Sequence, residues 1–191
     1  MPVYQTKNIS ASIILGVWKI TEQKEELLNQ LFKIGFDKST IYQPKNEQRL
    51  KQWLATRLLL SVFFKNSTII YDELGKPYLD NDWKISISHS NEFVAIILNN
   101  NDNCGIDIEK ISNKVARIKH KFLTHLDLKT VITNKHLTLY WGAKEALYKY
   151  YGKKEVLFKE NLFIEDFSEN SKSFSGRIDM PEFKKTLPME Y

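Results

Sequence analysis

The sequence predicts a mixed α/β protein of two similar halves, and three observations carry that reading. Short β-type runs such as Lys84–Ser88 (KISIS) and Phe93–Leu98 (FVAIIL) are bounded by polar turns. Stretches around Leu54 and Tyr140 repeat apolar residues at helical spacing. The order strand, helices, strands then runs twice, once on each side of the polar stretch Asn99–Asn103 (NNNDN). That seam divides the chain into an N-terminal half, residues 1–103, and a shorter C-terminal half, residues 104–191.

Ser12–Lys19 (SIILGVWK) reads as the first strand. A helix follows, with Thr21 as cap, Glu22, Glu25 and Glu26 in its first turn, Leu27, Leu28, Leu31 and Phe32 as its apolar stripe and Gly35 as its stop. A second helix spans about Asn46 to Phe64. Its apolar positions Leu50, Trp53, Leu54, Leu58 and Val62 cover most of the circumference, so Arg57 must be largely buried and needs an anion. Ser67–Tyr71, the turn Asp72–Pro77 (DELGKP), Lys84–Ser88 and Phe93–Leu98 complete the half. Beyond the seam, Gly105–Glu109 (GIDIE) reads as a strand and Asn113–Tyr151 as a helical region ending at Gly152. Leu162–Phe167 and Phe174–Met180 read as strands.

Composition narrows the class further. A chain of 191 residues with 42% hydrophobic and 13% aromatic residues, 7 Gly and 5 Pro can bury a sizeable core and is neither low-complexity nor collagen-like. The lone Cys104 excludes an internal disulfide and a thiolate zinc cluster, which suits a reducing compartment. No apolar run is long enough for a membrane span and the first ten residues lack a signal-peptide layout, so a cytoplasmic protein without a membrane partner is expected. The net charge of +5 leans toward acidic partners without choosing among nucleic acid, an anionic cofactor and an acidic protein.

Three places could carry chemistry. In GIDIE the alternation sets Asp107 and Glu109 on one face, about 6.6 Å apart along a strand. Such a pair suits either a solvated face or a hard cation such as Mg2+. On the helix before Gly152, Tyr140, Ala143, Leu147 and Tyr150 form the core stripe, whereas Glu145 lies about 140–160° away from it, grouped with Trp141, Tyr148 and Lys149. Glu145 and Lys149 read either as a surface pair four residues apart or as part of a site. In Ile87–Ser90 (ISHS) a histidine between two serines ends a strand, where it and the Lys76 ammonium of the G-K-P turn could hold a phosphate or be simply structural or solvated.

Taken in order, A-x-R-x-L-L (Ala55, Arg57, Leu59, Leu60), G-K-P (Gly75–Pro77), S-H-S (Ser88–Ser90), G-I-D-I-E (Gly105–Glu109) and W-x-x-K-E-A-x-x-K (Trp141–Lys149) resemble the 4′-phosphopantetheinyl transferases, in their larger monomeric form. The motifs span about half the chain, and the last two are the specific ones. The resemblance implies a fold of two similar α/β halves related by a pseudo-two-fold axis. It implies transfer of the phosphopantetheine arm of coenzyme A to a serine of an acyl or peptidyl carrier protein, by a monomer. Asp107, Glu109 and Glu145 are then the ligands of Mg2+ or Mn2+, Glu145 is also the general base, and Lys149 steadies the transferred phosphate with Lys144 beside it. Arg57, Lys76, Ser88 and His89 match positions at the 3′-phosphate and adenine end of coenzyme A.

The chain departs from the family at Gly142, where a small hydroxyl residue or cysteine is usual, and in the segment after Phe122. The family pattern also continues past the position of Tyr191 into another strand, so a compact or trimmed C-terminus is expected. Lys110–Leu126 holds five Lys/Arg, two His and no carboxylate. An acidic carrier protein is expected to dock there, the competing reading being a solvated basic face. A non-catalytic module binding coenzyme A or a carrier protein is the alternative to the enzyme. A nucleic-acid binder ranks last, because zinc-finger spacing and a dominant basic stripe are missing.

Overall fold

A two-residue turn at Ala11 and Ser12 folds Val3–Ser10 (β1) back onto Ile13–Lys19 (β2) in a computed structural model that describes residues 3–131, 133–165, 167 and 172–191. Positions 132 and 166, which fall inside two of the expected elements, and positions 1–2 of the expected non-signal segment lie outside the described residues. The strand β1 carried no sequence signal, because all of it but Val3 is exposed and its residues have no apolar alternation. Register shifts at both of its ends are the bulges of an edge strand.

Lys24–Lys33 (α1) and Glu47–Phe63 (α2) follow. The first starts later than Thr21. Glu22 is not in its opening turn but folded inward, with its carboxylate 3.0 Å from the Thr21 amide and near the Trp18 indole N–H. The Gln23 amide instead caps the helix by donating to Glu26 Oε2 at 2.8 Å. Gly35, at φ 86°, ends it as expected, with the Phe36 amide bonded back to Leu31. Asn46 caps α2 through the Arg49 amide at 3.3 Å. Leu50, Leu54, Leu58, Leu59 and Leu60 of α2 are buried, while Val62, one residue before the helix ends, is exposed.

Ile69–Tyr71 (β3) and Pro77–Leu79 (β4) form a small hairpin, and Lys84–Ser90 (β5) and Phe93–Asn99 (β6) a longer one. Asn91, at φ 50°, makes the tight turn of the second. The main sheet has the order β1-β2-β6-β5, antiparallel throughout, and α1 and α2 pack with it around Trp18, Leu27, Leu31, Leu54 and Ile96. These elements make up one unit, Met1–Cys104, and Gly105–Tyr191 makes a second.

The second unit contains Asn113–Ile118 (α3), Asp127–Thr130 (α4), Asn134–Tyr151 (α5), Leu162–Glu165 (β7), Ser173–Met180 (β8) and Phe183–Glu190 (β9). The strands form the antiparallel sheet β7-β8-β9. Thr133 caps α5 through the His136 amide at 3.0 Å, and Gly152, at φ 68°, ends it. The core stripe is as expected: Tyr140, Ala143, Leu147 and Tyr150 are all buried. A strand does follow Met180 within this chain. In β9, Phe183, Lys185, Leu187 and Met189 alternate inward, and Lys185 and Pro188 disguise that alternation in the sequence.

One expected strand is absent. Gly105–Glu109 belongs to none of the described sheets. Its backbone lies against α5 instead: a Cβ on Gly105 would drive into the Ala146 carbonyl, and the Ile106 carbonyl accepts from Lys149 Nζ at 2.9 Å. Helix backbone and a lysine thus occupy the place of a neighbouring strand. The mixed α/β class holds, while the second unit reads helices and then strands among the described residues.

Gly105→Ala should therefore lower stability by about 1–3 kcal/mol or more through overpacking. Gly142→Ala, whose added methyl would sit 3.4 Å from Asp107 Oδ2, should instead raise it by up to about 1 kcal/mol through helix propensity. Urea unfolding of both variants checks the opposite signs.

Candidate functional site

The second unit gathers its charged groups on the face of α5 opposite the core stripe. Trp141, Glu145, Tyr148 and Lys149 are all half-buried there, as the helical spacing requires. Lys149 Nζ donates to Asp107 Oδ1 at 2.8 Å as well as to the Ile106 carbonyl, so one ammonium ties the 105–109 segment to α5. The Asp107 side chain is only 10% exposed. Glu109, two residues on, is exposed.

Glu145 is held above the usual carboxylate range, first by burial and then by the negative charges of Asp107 and Glu109, with Lys149 pulling the other way. Two hard oxygen donors whose charges oppose the ionisation of a third, Glu145, form with it a neighbourhood that a divalent cation would relieve. The donor chemistry therefore fits Mg2+ or Mn2+. Among the described residues, no group of three His, Cys, Asp or Glu side chains is closed to ligand geometry.

Aromatic rings wall this face. Trp141 stacks on Phe158 at 5.5 Å and meets Phe122 edge-on at 5.2 Å, and Tyr148 also packs on Phe158. They supply part of the burial around Glu145, which lies between Trp141 and Tyr148 on the helix.

Lys144 departs from its expected role. It is 1% exposed, and its ammonium donates to the carbonyls of Phe122 at 2.5 Å and Phe158 at 2.8 Å. Burial pulls it down to about 8. A side chain spent on two carbonyls inside the core is a strut between α5 and two loops, not a contact for a cofactor.

The first unit holds a separate cavity of about 330 Å³, lined among others by Tyr42, Arg49, Trp53, Arg57, Tyr71 and His89. Arg57 and His89, singled out from the sequence, both reach it, as do Gly75 and Pro77 of the G-K-P turn. Arg57 stacks 3.4 Å from the centre of the Trp53 ring and donates to the Trp53 carbonyl at 3.2 Å. Burial presses its guanidinium below the ordinary value, and the Tyr71 phenol beside it opposes that shift. The phenol and the indole face thus give the half-buried arginine partners of its own.

Ser88 and Lys76 are placed differently. Strand alternation turns Ser88, buried with Ser86, to the face opposite His89. Half-buried Lys76 lies near the Cys104 thiol, which burial pushes up to about 12. Neither lines the cavity. Conversely, Arg49, Gln52, Trp53 and Thr56 line it although none of the motifs contains them, and with Arg57 they recur at helical i, i+3, i+4, i+7, i+8 spacing. That polar stripe was masked by the many leucines of the same helix.

The pH dependence of stability tests the strut. With its folded value below the ordinary 10.5, the unfolded chain binds more protons between about 8 and 10.5, so Lys144 makes stability rise with pH across that window. In Lys144→Met this rising contribution should vanish, read as a flattened difference in urea midpoint between pH 8 and 10.5.

Comparison with known proteins bears on the second unit above all. Residues 103–189 match the family model described as the 4′-phosphopantetheinyl transferase superfamily. The chain is 32% identical over 113 residues, 54% of its own length and 47% of the relative's, to the 4′-phosphopantetheinyl transferase gsp of Aneurinibacillus migulanus. It is 30% identical over 115 residues, 54% of its length and 59% of the relative's, to the 4′-phosphopantetheinyl transferase AcpT of Escherichia coli K12. The chain thus spans about half the length of the curated relatives it matches. Residues 103–189, the stretch similar to the 4′-phosphopantetheinyl transferase superfamily, hold Asp107, Glu109, Glu145 and Lys149.

Proposed function

We propose that this protein transfers the 4′-phosphopantetheine arm of coenzyme A to a serine hydroxyl of an acyl or peptidyl carrier protein and releases adenosine 3′,5′-bisphosphate. The observation that carries the reading is Glu145 on α5, held above the usual carboxylate range by burial and by Asp107 and Glu109, with Lys149 one turn away. A carboxylate so disposed is a better proton acceptor than a solvated one.

In this reading the serine oxygen attacks the β-phosphorus, its proton passes to Glu145 directly or through a water, and the bond from that phosphorus to the bridging oxygen breaks. The electron pair leaves with the adenosine bisphosphate. A divalent cation, Mg2+ or Mn2+, held by Asp107, Glu109 and Glu145 would neutralise charge on the pyrophosphate. Lys149 steadies the transferred phosphoryl group, and its present bonds to Asp107 and Ile106 keep its ammonium beside the carboxylates. Arg57 and His89 serve the nucleotide end of coenzyme A. Arg57 makes a rigid wall through its stack on Trp53.

The carrier protein is acidic in this reading. Lys110, Lys114, Arg117, Lys119 and Lys121 are all exposed, whereas Val115 among them and Phe122 and Leu123 just after them are buried. The segment therefore presents cations on a surface anchored by its apolar residues, suited to an anionic helix. Ile111 and Leu126 are exposed at its two ends and offer apolar contacts beside the charges.

Intact-mass spectrometry of an apo carrier protein incubated with this chain, coenzyme A and Mg2+ tests the activity. The expected result is a gain of one phosphopantetheine arm, abolished by chelator and reduced by about 10²–10⁴ in rate by Glu145→Gln. Coenzyme A binding without mass gain on fatty-acid, polyketide or peptidyl carriers would instead identify a non-catalytic binding module. Arg117→Glu with Lys121→Glu should raise the KM for carrier protein while leaving that for coenzyme A nearly unchanged. An equal rise in both would overturn the docking surface.

A further inference from the structure

We propose that Gly142 is a positioning residue of the carboxylate cluster: its missing side chain gives the Asp107 carboxylate room to turn from α5 toward a divalent cation. The proposal rests on the reading that Asp107, Glu109 and Glu145 hold such a cation. It adds to that reading a residue with no ligand atom of its own.

Nothing in the backbone asks for glycine at this position. Gly35, Gly75 and Gly152 have positive φ and Gly142 does not, standing instead midway along the 18-residue α5. A glycine in a helix interior lowers stability relative to alanine. Crowding does not ask for it either. A Cβ on Gly105 would collide with the Ala146 carbonyl, whereas beyond its own helix backbone a Cβ on Gly142 would meet, among the described residues, only Asp107, with Oδ2 at 3.4 Å and Cβ at 3.8 Å. Those are ordinary contact distances. The stability lost at 142 therefore has one neighbour to act on.

That neighbour is a carboxylate whose orientation matters. Gly105 rests on Ala146 and Asp107 faces Gly142, four residues or about 6 Å back along the helix, so the 105–109 segment runs toward the start of α5 and lays Asp107 against it. Asp107 Oδ1 accepts from Lys149 at 2.8 Å, Oδ2 is turned to the bare turn at Gly142, and the side chain is 10% exposed. Among the described residues the acidic side chains are not closed to ligand geometry. Cation binding thus requires the carboxylates to reorient. Glu109 is exposed and can follow a cation through solvent. Asp107 is packed between helix and lysine, so its turning depends on the space beside it.

A methyl group at 142 would fill that space. In van der Waals contact with Oδ2, it would brace the carboxylate in its orientation against Lys149, and turning past it would cost a strained side-chain torsion. A serine would add a hydroxyl within reach of Oδ2 and hold that oxygen by a hydrogen bond as well. The substitution that improves the helix therefore harms the site, which sets stability and cation binding in opposition.

Titration of this chain with Mn2+, followed by the electron paramagnetic resonance signal of the free ion, tests the proposal on wild type, Gly142→Ala and Gly142→Ser, with urea unfolding of the same proteins. Gly142→Ala should bind Mn2+ about threefold to tenfold more weakly than wild type, the scale of one strained torsion, while its urea midpoint rises. Gly142→Ser should bind more weakly still. Mn2+ affinity in Gly142→Ala equal to or above that of the wild type overturns the role of Gly142 and leaves the metal reading standing. A loss of affinity accompanied by a lowered urea midpoint overturns it too, because damage to the fold then accounts for the loss. Failure of the wild type to bind Mn2+ overturns the metal reading and the proposal together.

Discussion

The absence of a side chain at Gly105 is the constraint on which the second unit turns. Because nothing projects from that residue, the chain lies directly on the α5 backbone at Ala146. Lys149, less than one turn further on, then reaches the Ile106 carbonyl and the Asp107 carboxylate together. That contact brings Asp107 close enough to Glu145 for the two charges to act on each other, and burial does the rest. A larger residue at 105 would move the segment outward and loosen the carboxylate neighbourhood with it.

Polar contacts from helix side chains to loop backbone recur in both units. In the second, Lys144 holds the carbonyls of Phe122 and Phe158, fixing the ends of two loops whose rings pack against Trp141 and Tyr148. In the first, Gln48 and Gln52 hold the Asn91 carbonyl. The contact of Lys144 with Phe122 satisfies a carbonyl that would otherwise go unpaired in the interior at a cost of about 1–3 kcal/mol, whereas those to Asn91 lie nearer the surface. Each also fixes a loop beside reactive groups: the aromatic wall around Glu145 in one unit and His89 in the other. Buried Lys144 and Gln52 and exposed Gln48 thus serve placement, while the residues one position away, Glu145, Trp53 and Arg49, face the sites.

Much of the architecture was legible locally. Asn46 as a cap, Gly35 and Gly152 as left-handed stops, and the strands from Lys84 and Phe93 follow from backbone preferences that each residue carries by itself. The edge strands were not legible in the same way. β1 has no buried face to impose alternation, and in β9 a lysine occupies an inward position by lying over the Tyr150 ring. Glu22 shows the same limit: it has the composition of a helix start, but the Trp18 indole and the Thr21 amide draw it inward.

The sequence by itself determined which side chains share the outer face of α5, since helical spacing requires no partner to be known, and five ordered motifs carried the resemblance to the superfamily whose model matches residues 103–189. Tertiary structure alone decided what those side chains touch. Lys144 and Lys149 are five residues apart on one helix, yet one is sealed against two carbonyls and the other is set beside carboxylates. Ser88 and His89 are neighbours in sequence and face opposite ways because a strand alternates. Arg49 and His89, forty residues apart, meet because two glutamines clamp a turn. Local propensity depends on a residue and its near neighbours, whereas a site depends on which distant backbone fills the space around it.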